Sequence, residues 1–451
     1  MHNARCGISV AVIFFHMAGC YAGTYDVRTY GAIGDGKVDD TAAVRRASAA
    51  LATAGGGTLL FPVAHTFVTG PFNLSTNTFL DIGGTILGSP DGTDWPLVDA
   101  GVVWPQFGHG SDCKPGTPEC RLMHQALIFA WRATNVSIGG GGTIDGRGKE
   151  WWACADDLDK PPCAGHSRPH LLMFSSVSHV TIEDVRFQNS PDWTLHFSSV
   201  KELLIRRTHV VNPQRNAPNS DGIDLDCVQG AVIEDSLFDV GDDALCVKSG
   251  INFFGRQYGQ PSRDIVFRNL TIGAGHGISI GSETSGDVYN VTFENLRMGG
   301  TDRGPRIKSE RGRGGVVDGI VYRNIVAKDV ATALSLTLAY QHGLPPTNVT
   351  ATPRLRNVLL QNVTFENVTS AGEFIGLPES PIVNVTLRDV RYIGHGAPPP
   401  FGKCEYVSGR CEGGTTLCPP CFKPPAGNGQ PAIRANAIPI PDVVEPLQRR
   451  Q

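Results

Sequence analysis

One apolar phrase recurs along the chain. A β-branched or aromatic run is followed by a polar residue, then Asn or Asp, then a second apolar pair. Copies include Val180-Thr-Ile-Glu-Asp-Val-Arg-Phe187, Ile265-Val-Phe-Arg-Asn-Leu-Thr-Ile272, Val291-Thr-Phe-Glu-Asn-Leu-Arg-Met298 and Val385-Thr-Leu-Arg-Asp-Val-Arg-Tyr392. The third apolar position falls at residues 182, 205, 233, 267, 293, 322, 360 and 387. The steps of 23 to 38 residues are those of a repeat array, and short strands parted by turns make it a β-solenoid. An immunoglobulin-like sandwich would not repeat one strand-Asn-strand phrase eight times. The Asn or Asp suits a tight bend, where left-handed backbone and side-chain hydrogen bonds favour those residues.

Only residues 39–54 read as a convincing helix. Asp39, Asp40 and Thr41 offer capping oxygens, Val44, Ala47, Ser48 and Leu51 share a face, and Gly55 to Gly57 end it. A solenoid needs its open end covered, so this helix is expected to cap the N-terminal end. Residues 105–168, with Cys, Pro and Trp, are expected to form loops walling a groove. The Pro- and Ala-rich tail, 426–451, has no periodicity and is expected to be disordered. Residues 1–22 read as a secretory signal, with Arg5, an apolar core from Ile8 to Met17 and small residues before the cut. That leaves 23–425 as one catalytic domain.

Composition narrows the class. The 451 residues include 54 Gly and carry a formal charge of −4, so nothing global points to nucleic acid or an anionic membrane. No stretch beyond the leader is long and apolar enough to span a bilayer. Removing Cys6 and Cys20 with the leader leaves an even set of cysteines, which suits an oxidising compartment. Cys113/Cys120, Cys154/Cys163, Cys404/Cys411 and Cys418/Cys421 are near enough to pair locally, and Cys227/Cys246 could bridge successive coils, although spacing does not decide connectivity. Eight Asn-x-Ser/Thr sequons, at Asn73, Asn135, Asn269, Asn290, Asn348, Asn362, Asn367 and Asn384, agree with secretion. Several fall inside strand repeats and are expected to be turns rather than glycan sites.

The candidate chemistry lies in the middle of the array. Aligning Asp221-Gly-Ile-Asp-Leu with Asp243-Ala-Leu-Cys-Val and His276-Gly-Ile-Ser-Ile makes Ile223, Leu245 and Ile278 coincide, and then Leu225, Val247 and Ile280. Asp221, Asp243 and His276 are thereby expected at one rung on successive coils, about 4.8 Å apart, with Asp242 beside them. Clustered carboxylates repel, so one holds a proton at higher pH than a free Asp, which is how one site supplies an acid and a base. Glycoside hydrolysis needs such a pair. No metal-ligand spacing is present. Arg306 and Lys308 alternate along one strand and face the same way, suiting a substrate carboxylate. Tyr340, after the next strand, is placed to stack on or bond a sugar.

Four motifs, in order, resemble those of the polygalacturonase family of pectin-degrading glycosidases: Asn219-Ser-Asp221, Gly241-Asp-Asp243, Gly275-His-Gly277 and Arg306-Ile-Lys308. Asn189-Ser-Pro-Asp-Trp193 and the opening Gly34-Asp-Gly-Lys-Val-Asp-Asp-Thr41 add to the likeness, which covers residues 24–421. The resemblance implies an all-β fold, a single right-handed parallel β-helix with a short N-terminal capping helix. It implies metal- and cofactor-independent inverting hydrolysis of α-1,4-galacturonosyl linkages by a secreted, monomeric enzyme acting on an acidic polysaccharide. Asp242 is then the general acid, Asp221 and Asp243 activate water, and His276 supports the cluster. Asn219, Arg306, Lys308 and Tyr340 bind substrate. Ser220 replaces the usual Thr, and residues 105–168 depart most, leaving cleavage mode open. A rhamnogalacturonan or xylogalacturonan hydrolase on the same scaffold is the runner-up. A calcium-dependent pectate lyase and a non-catalytic cell-wall carbohydrate-binding protein fit the intact motifs less well.

Overall fold

The computed structural model describes residues 23–112, 121–340, 351–394 and 396–422. The expected leader, the expected tail, Cys113/Cys120 and Asn348 lie outside them. Each coil sends one short strand to an 11-stranded sheet and two to a 21-stranded sheet, the two merging into one long strand from Val288–Gly299 onward, and every pairing in these two sheets is parallel. One coil runs through strands Leu172–Ser175, Ser178–Glu183 and Arg186–Gln188; the next runs through Leu195–Ser198, Lys201–Arg206 and His209–Val211.

The repeat positions stack in register. Ile182 pairs with Ile205, then Ile233, Phe267, Phe293, Tyr322, Leu360 and Leu387 follow one per coil. The column continues upward through Ile138, Leu80 and Leu59. Phe267, Phe293 and Tyr322 stack face to face at 4.8 Å, the interstrand spacing itself. All are fully buried, so the inside of the coil is one continuous hydrophobic core.

The bends follow the predicted chemistry. Asp184, Asp235, Asn269, Asn295, Asn324, Asn362 and Asp389 all have φ between 50° and 56°. Their side chains form a ladder: Asn295 donates to Asn269, Asn324 to Asn295, and Asn362 to Asn324 at 2.9–3.3 Å. The sequon amides of Asn135, Asn269, Asn290, Asn362, Asn367 and Asn384 likewise donate to an Asn or Asp of the preceding coil.

The helix Thr41–Thr53 buries Val44, Ala47, Ser48 and Leu51 against the first coil, as a cap should. Asp39 accepts from Thr41 N, whereas Asp40 turns back to accept from Ile33 N and Gly34 N. Residues 105–168 are not all loop. They include strands Ile128–Trp131, Thr134–Gly139 and Thr143–Asp145, a full coil whose phrase lacks the usual Asn bend.

Among the cysteines, Cys154–Cys163 forms as expected. Near the end of the array the pairs are instead Cys404–Cys421 and Cys411–Cys418. Cys404 and Cys411 lie on strands of different sheets, and the turn at Pro420–Phe422 folds Cys421 back onto Cys404. Cys227 and Cys246 are free and buried, the first in the turn after Asp226 and the second on the strand of the following coil. Among the described residues, no helix is long and apolar enough to cross a membrane.

Candidate active site

The site lies on the outer face of the 11-stranded sheet. Successive strands there are Ile223–Asp226, Asp243–Lys248, Gly277–Ile280, Pro305–Lys308 and Thr332–Thr337. Ile223, Leu245 and Ile278 pair across them as the alignment required, and so do Leu225, Val247 and Ile280. These point inward, and their neighbours point outward. Register slips at Asp243, which pairs with Gly277 while Leu245 pairs with Ile278, so Ala244 is extra. The expected Asp243–His276 rung therefore does not form. The bulge turns His276 onto Asp242 instead, its Nδ1 2.7 Å from Asp242 Oδ1.

Backbone crowding explains the glycines around His276. A Cβ on Gly275 would lie 2.4 Å from Asp242 O, and one on Gly277 would lie 2.0 Å from Arg303 O. Both have positive φ, so close coil-to-coil approach and backbone shape each demand glycine.

Asp243 is sealed among charges. Lys308 Nζ lies 2.7 Å from its Oδ2, and Ser279 Oγ donates to Oδ1 at 2.8 Å, with Arg306 at 3.4 Å. Burial pushes its proton affinity up, but Lys308 and Arg306 outweigh this and hold the carboxyl below the ordinary range. Asp221 is pushed the other way, by burial and then by the charges of Asp224, Asp242 and Asp243. Asp242 is the most open of the three, with 21 % of its side chain exposed, and its Oδ1 also accepts from Asp243 N. His276 is raised, first by its hydrogen bond to Asp242, so it favours the imidazolium. Tyr340 lies with its ring 5.3 Å from both Arg306 and Lys308.

All eight expected site residues border one cavity of about 810 Å³. Asp242, Asp243 and His276 place donor atoms within 4.8 Å of one another, but two cations already neutralise Asp243. Proton traffic is what this cluster is suited for. One carboxylate is fixed as a base, one group is driven to hold a proton, and one carboxyl opens onto the cavity.

Several residues of the site went unread in the sequence. Arg168, fully buried, is held by Asp112 and by the carbonyls of Pro191 and Pro218, and it donates to Asn219 Oδ1 at 2.9 Å. Asn219 is thereby fixed, at φ 54°, at the rim of the carboxylate cluster. Lys248 bridges Asp224 and Glu283 at 3.3 Å each and lies 4.0 Å over the Trp193 ring. A signal existed for these: Asp224, Asp226 and Lys248 alternate with the inward residues Ile223, Leu225 and Val247, so they face outward from the same sheet.

The model for Glycosyl hydrolases family 28 matches residues 119–415. The chain belongs to glycosyl hydrolase family 28. It is 30 % identical over 396 residues to a probable polygalacturonase of Vitis vinifera, covering 86 % of this chain and 78 % of that one. It is 32 % identical over 312 residues to an endo-polygalacturonase of Pectobacterium parmentieri, covering 65 % and 73 %. Its fold matches a solved exopolygalacturonase of Thermotoga maritima with a TM-score of 0.74 and 26 % identity, covering 87 % and 92 %. The family 28 chain is therefore a glycoside hydrolase with the right-handed parallel β-helix of its polygalacturonase neighbours.

Proposed function

We propose that this family 28 enzyme hydrolyses α-1,4-galacturonosyl linkages of pectin, outside the cell, by metal-independent inverting acid/base catalysis. The observation that carries the reading is the divided proton affinity of the carboxylate cluster beside paired cations. Asp243, held ionised by Lys308 and Arg306, acts as base toward a water that Asp221 helps to hold. Asp242, open to the cavity beside Asp221, acts as general acid toward the departing glycosidic oxygen. The imidazolium of His276 orients Asp242. Arg306 and Lys308, beneath the Tyr340 ring, present positive charge to a uronate carboxylate.

The test uses unesterified polygalacturonate in buffer with chelator. New reducing ends should form, with no ultraviolet absorbance from unsaturated sugars, and the first-formed product should show the inverted anomer by NMR. Unsaturated products, or loss of activity on chelation, would sink the mechanism.

A further inference from the structure

Trp193, Asp221 and Asp243 stand at or just before the start of three successive strands of the 11-stranded sheet. Thr194 N donates to Asp221 O and Gly222 N donates to Asp243 O, both at 2.9 Å. Arg306 and Lys308 lie two strands further on. Along the sheet the carboxylates are therefore flanked by Trp193 on one side and by the paired cations on the other. A cation stands on the Trp193 side as well. Lys248 holds its Nζ 4.0 Å over the Trp193 ring, and both residues border the cavity.

Lys248 and Lys308 hold equivalent places on their strands. Val247, Ile280 and Ile307 pair in register, so the next outward positions are Lys248, Gly281 and Lys308. A Cβ on Gly281 would lie 2.0 Å from Lys308 O, so only glycine fits between the two lysines. They differ in how they are held. Lys308 is committed to Asp243 at 2.7 Å, the ordinary length of a charge-assisted bond. Lys248 has Asp224 and Glu283 at 3.3 Å each, beyond that length. An ammonium offers three donors. Among the described residues, Lys248 closes none of them to a short ion pair.

The charge around Lys248 is also incomplete. Burial pushes Asp224 up to about 7 against the pull of Lys248, so in mildly acidic solution it is largely neutral. Asp221 is raised too, and the neighbouring His170 and His196 are driven neutral by burial. Burial opposes the charge of Glu283, but Lys248 and Arg313 outweigh it and hold its carboxyl down to about 2. Two cations then face one anion, and an entering carboxylate completes the set. A methyl ester brings no charge and cannot do so. We infer that Lys248, over the ring of Trp193, takes the carboxylate of the uronate on the far side of the scissile bond from Arg306 and Lys308. Cleavage then requires a free carboxylate on both sugars that share the bond. This rests on the hydrolase reading above.

The experiment compares initial rates on unesterified polygalacturonate and on the same polymer with half of its carboxylates methylated at random. If both sugars must be free, about a quarter of the bonds qualify; if only one must be, about half do. The parent enzyme is expected to keep about a quarter of its unesterified kcat/KM, and Lys248→Met about half of its own lower value. On unesterified polymer Lys248→Met should raise KM about tenfold or more, through loss of a charged hydrogen bond. Folding is checked by circular dichroism. Should the single variant not fold, Lys248→Met/Glu283→Gln removes one charge of each sign and is expected to show the same one-half dependence. A parent that keeps half, or a folded variant that keeps only the parent's quarter, overturns the inference and leaves the hydrolase standing. Absence of new reducing ends on the unesterified polymer overturns the hydrolase reading itself.

Discussion

Strands Leu195–Ser198 and Asp243–Lys248 belong to the same sheet and aim alternate side chains at the same outer face. What lies above them differs. Over the first, Trp104 packs on His196 and His170 at 4.5 and 5.7 Å and donates to Asp226, while Phe107 stacks on Trp104 at 4.1 Å. Above the second is the cavity. In the covered half, burial drives the histidines neutral, His170 to about 3, and drives Asp226 up to about 6. In the open half, ion pairs keep Asp243 charged and His276 is raised. The same residue types become structural or reactive according to whether protein or substrate space covers the sheet.

The largest contrast should come from one conservative change in each half. Asp242→Asn is expected to lower kcat by about 10²–10⁴-fold, the usual worth of a general acid, with little change in Tm. Asp226→Asn should leave kcat nearly intact. Equal losses from both would erase the distinction drawn between the halves. Next comes Lys308→Met, which takes from buried Asp243 its nearest cation and leaves Arg306 at 3.4 Å and the neutral Ser279 hydroxyl. Breaking such a pair costs about 3–5 kcal/mol, measurable by denaturant unfolding. Lys308→Met combined with Asp243→Asn should recover most of that loss while remaining inactive.

The inner column was legible because it is periodic. All eight positions read from the sequence pair in register, and the Asn and Asp bends adopt the left-handed backbone expected of them. The gathering of Asp221, Asp242, Asp243 and His276 followed from stacking the same phrases. What escaped was what periodicity does not encode. The bulge at Ala244 is a one-residue slip that moves His276 from Asp243 to Asp242. The aromatic cover depends on contacts such as Trp104 to Asp226, 122 positions apart, between residues that share no phrase. The pairing of Cys404 with Cys421 depends on how the last turn folds back, which local spacing does not show.

Trp104→Ala sharpens the comparison from the covered side. It removes a fully buried indole and leaves Asp226 Oδ2 without its donor, while Gly250 N still donates to Oδ1, so stability should fall by about 3–5 kcal/mol. The pH profile of stability tests the same half. Asp226 binds its proton in the folded state up to about 6, against an unfolded value of 3.8. Between those values the folded state holds more protons than the unfolded one, so stability falls as pH rises through that window. Asp224, pushed to about 7, acts in the same sense, and so does His276, whose paired imidazolium is lost as pH rises through its raised value. Asp243 acts in the opposite sense, because its contribution is lost as pH falls below the ordinary carboxylate range. His170 and His196, held low by burial, act in the opposite sense below 6.5, so the test is a difference: as pH rises from about 4 to about 6, Tm of the parent should fall relative to that of Asp226→Asn.

The smallest effect belongs to neither half, and that is its use. Asn295 stands in the bend ladder of the opposite sheet, donating to Asn269 and accepting from Asn324. Asn295→Ala loses two exposed hydrogen bonds and puts a less tolerant residue at φ 56°. The cost should be about 1 kcal/mol. Because the ladder bonds neighbouring coils without touching the outer face, kcat should not move. A fall in kcat with so small a loss of stability would mean that coil spacing along the ladder sets the spacing of the carboxylates. The covered and open halves would then differ in more than what lies above them.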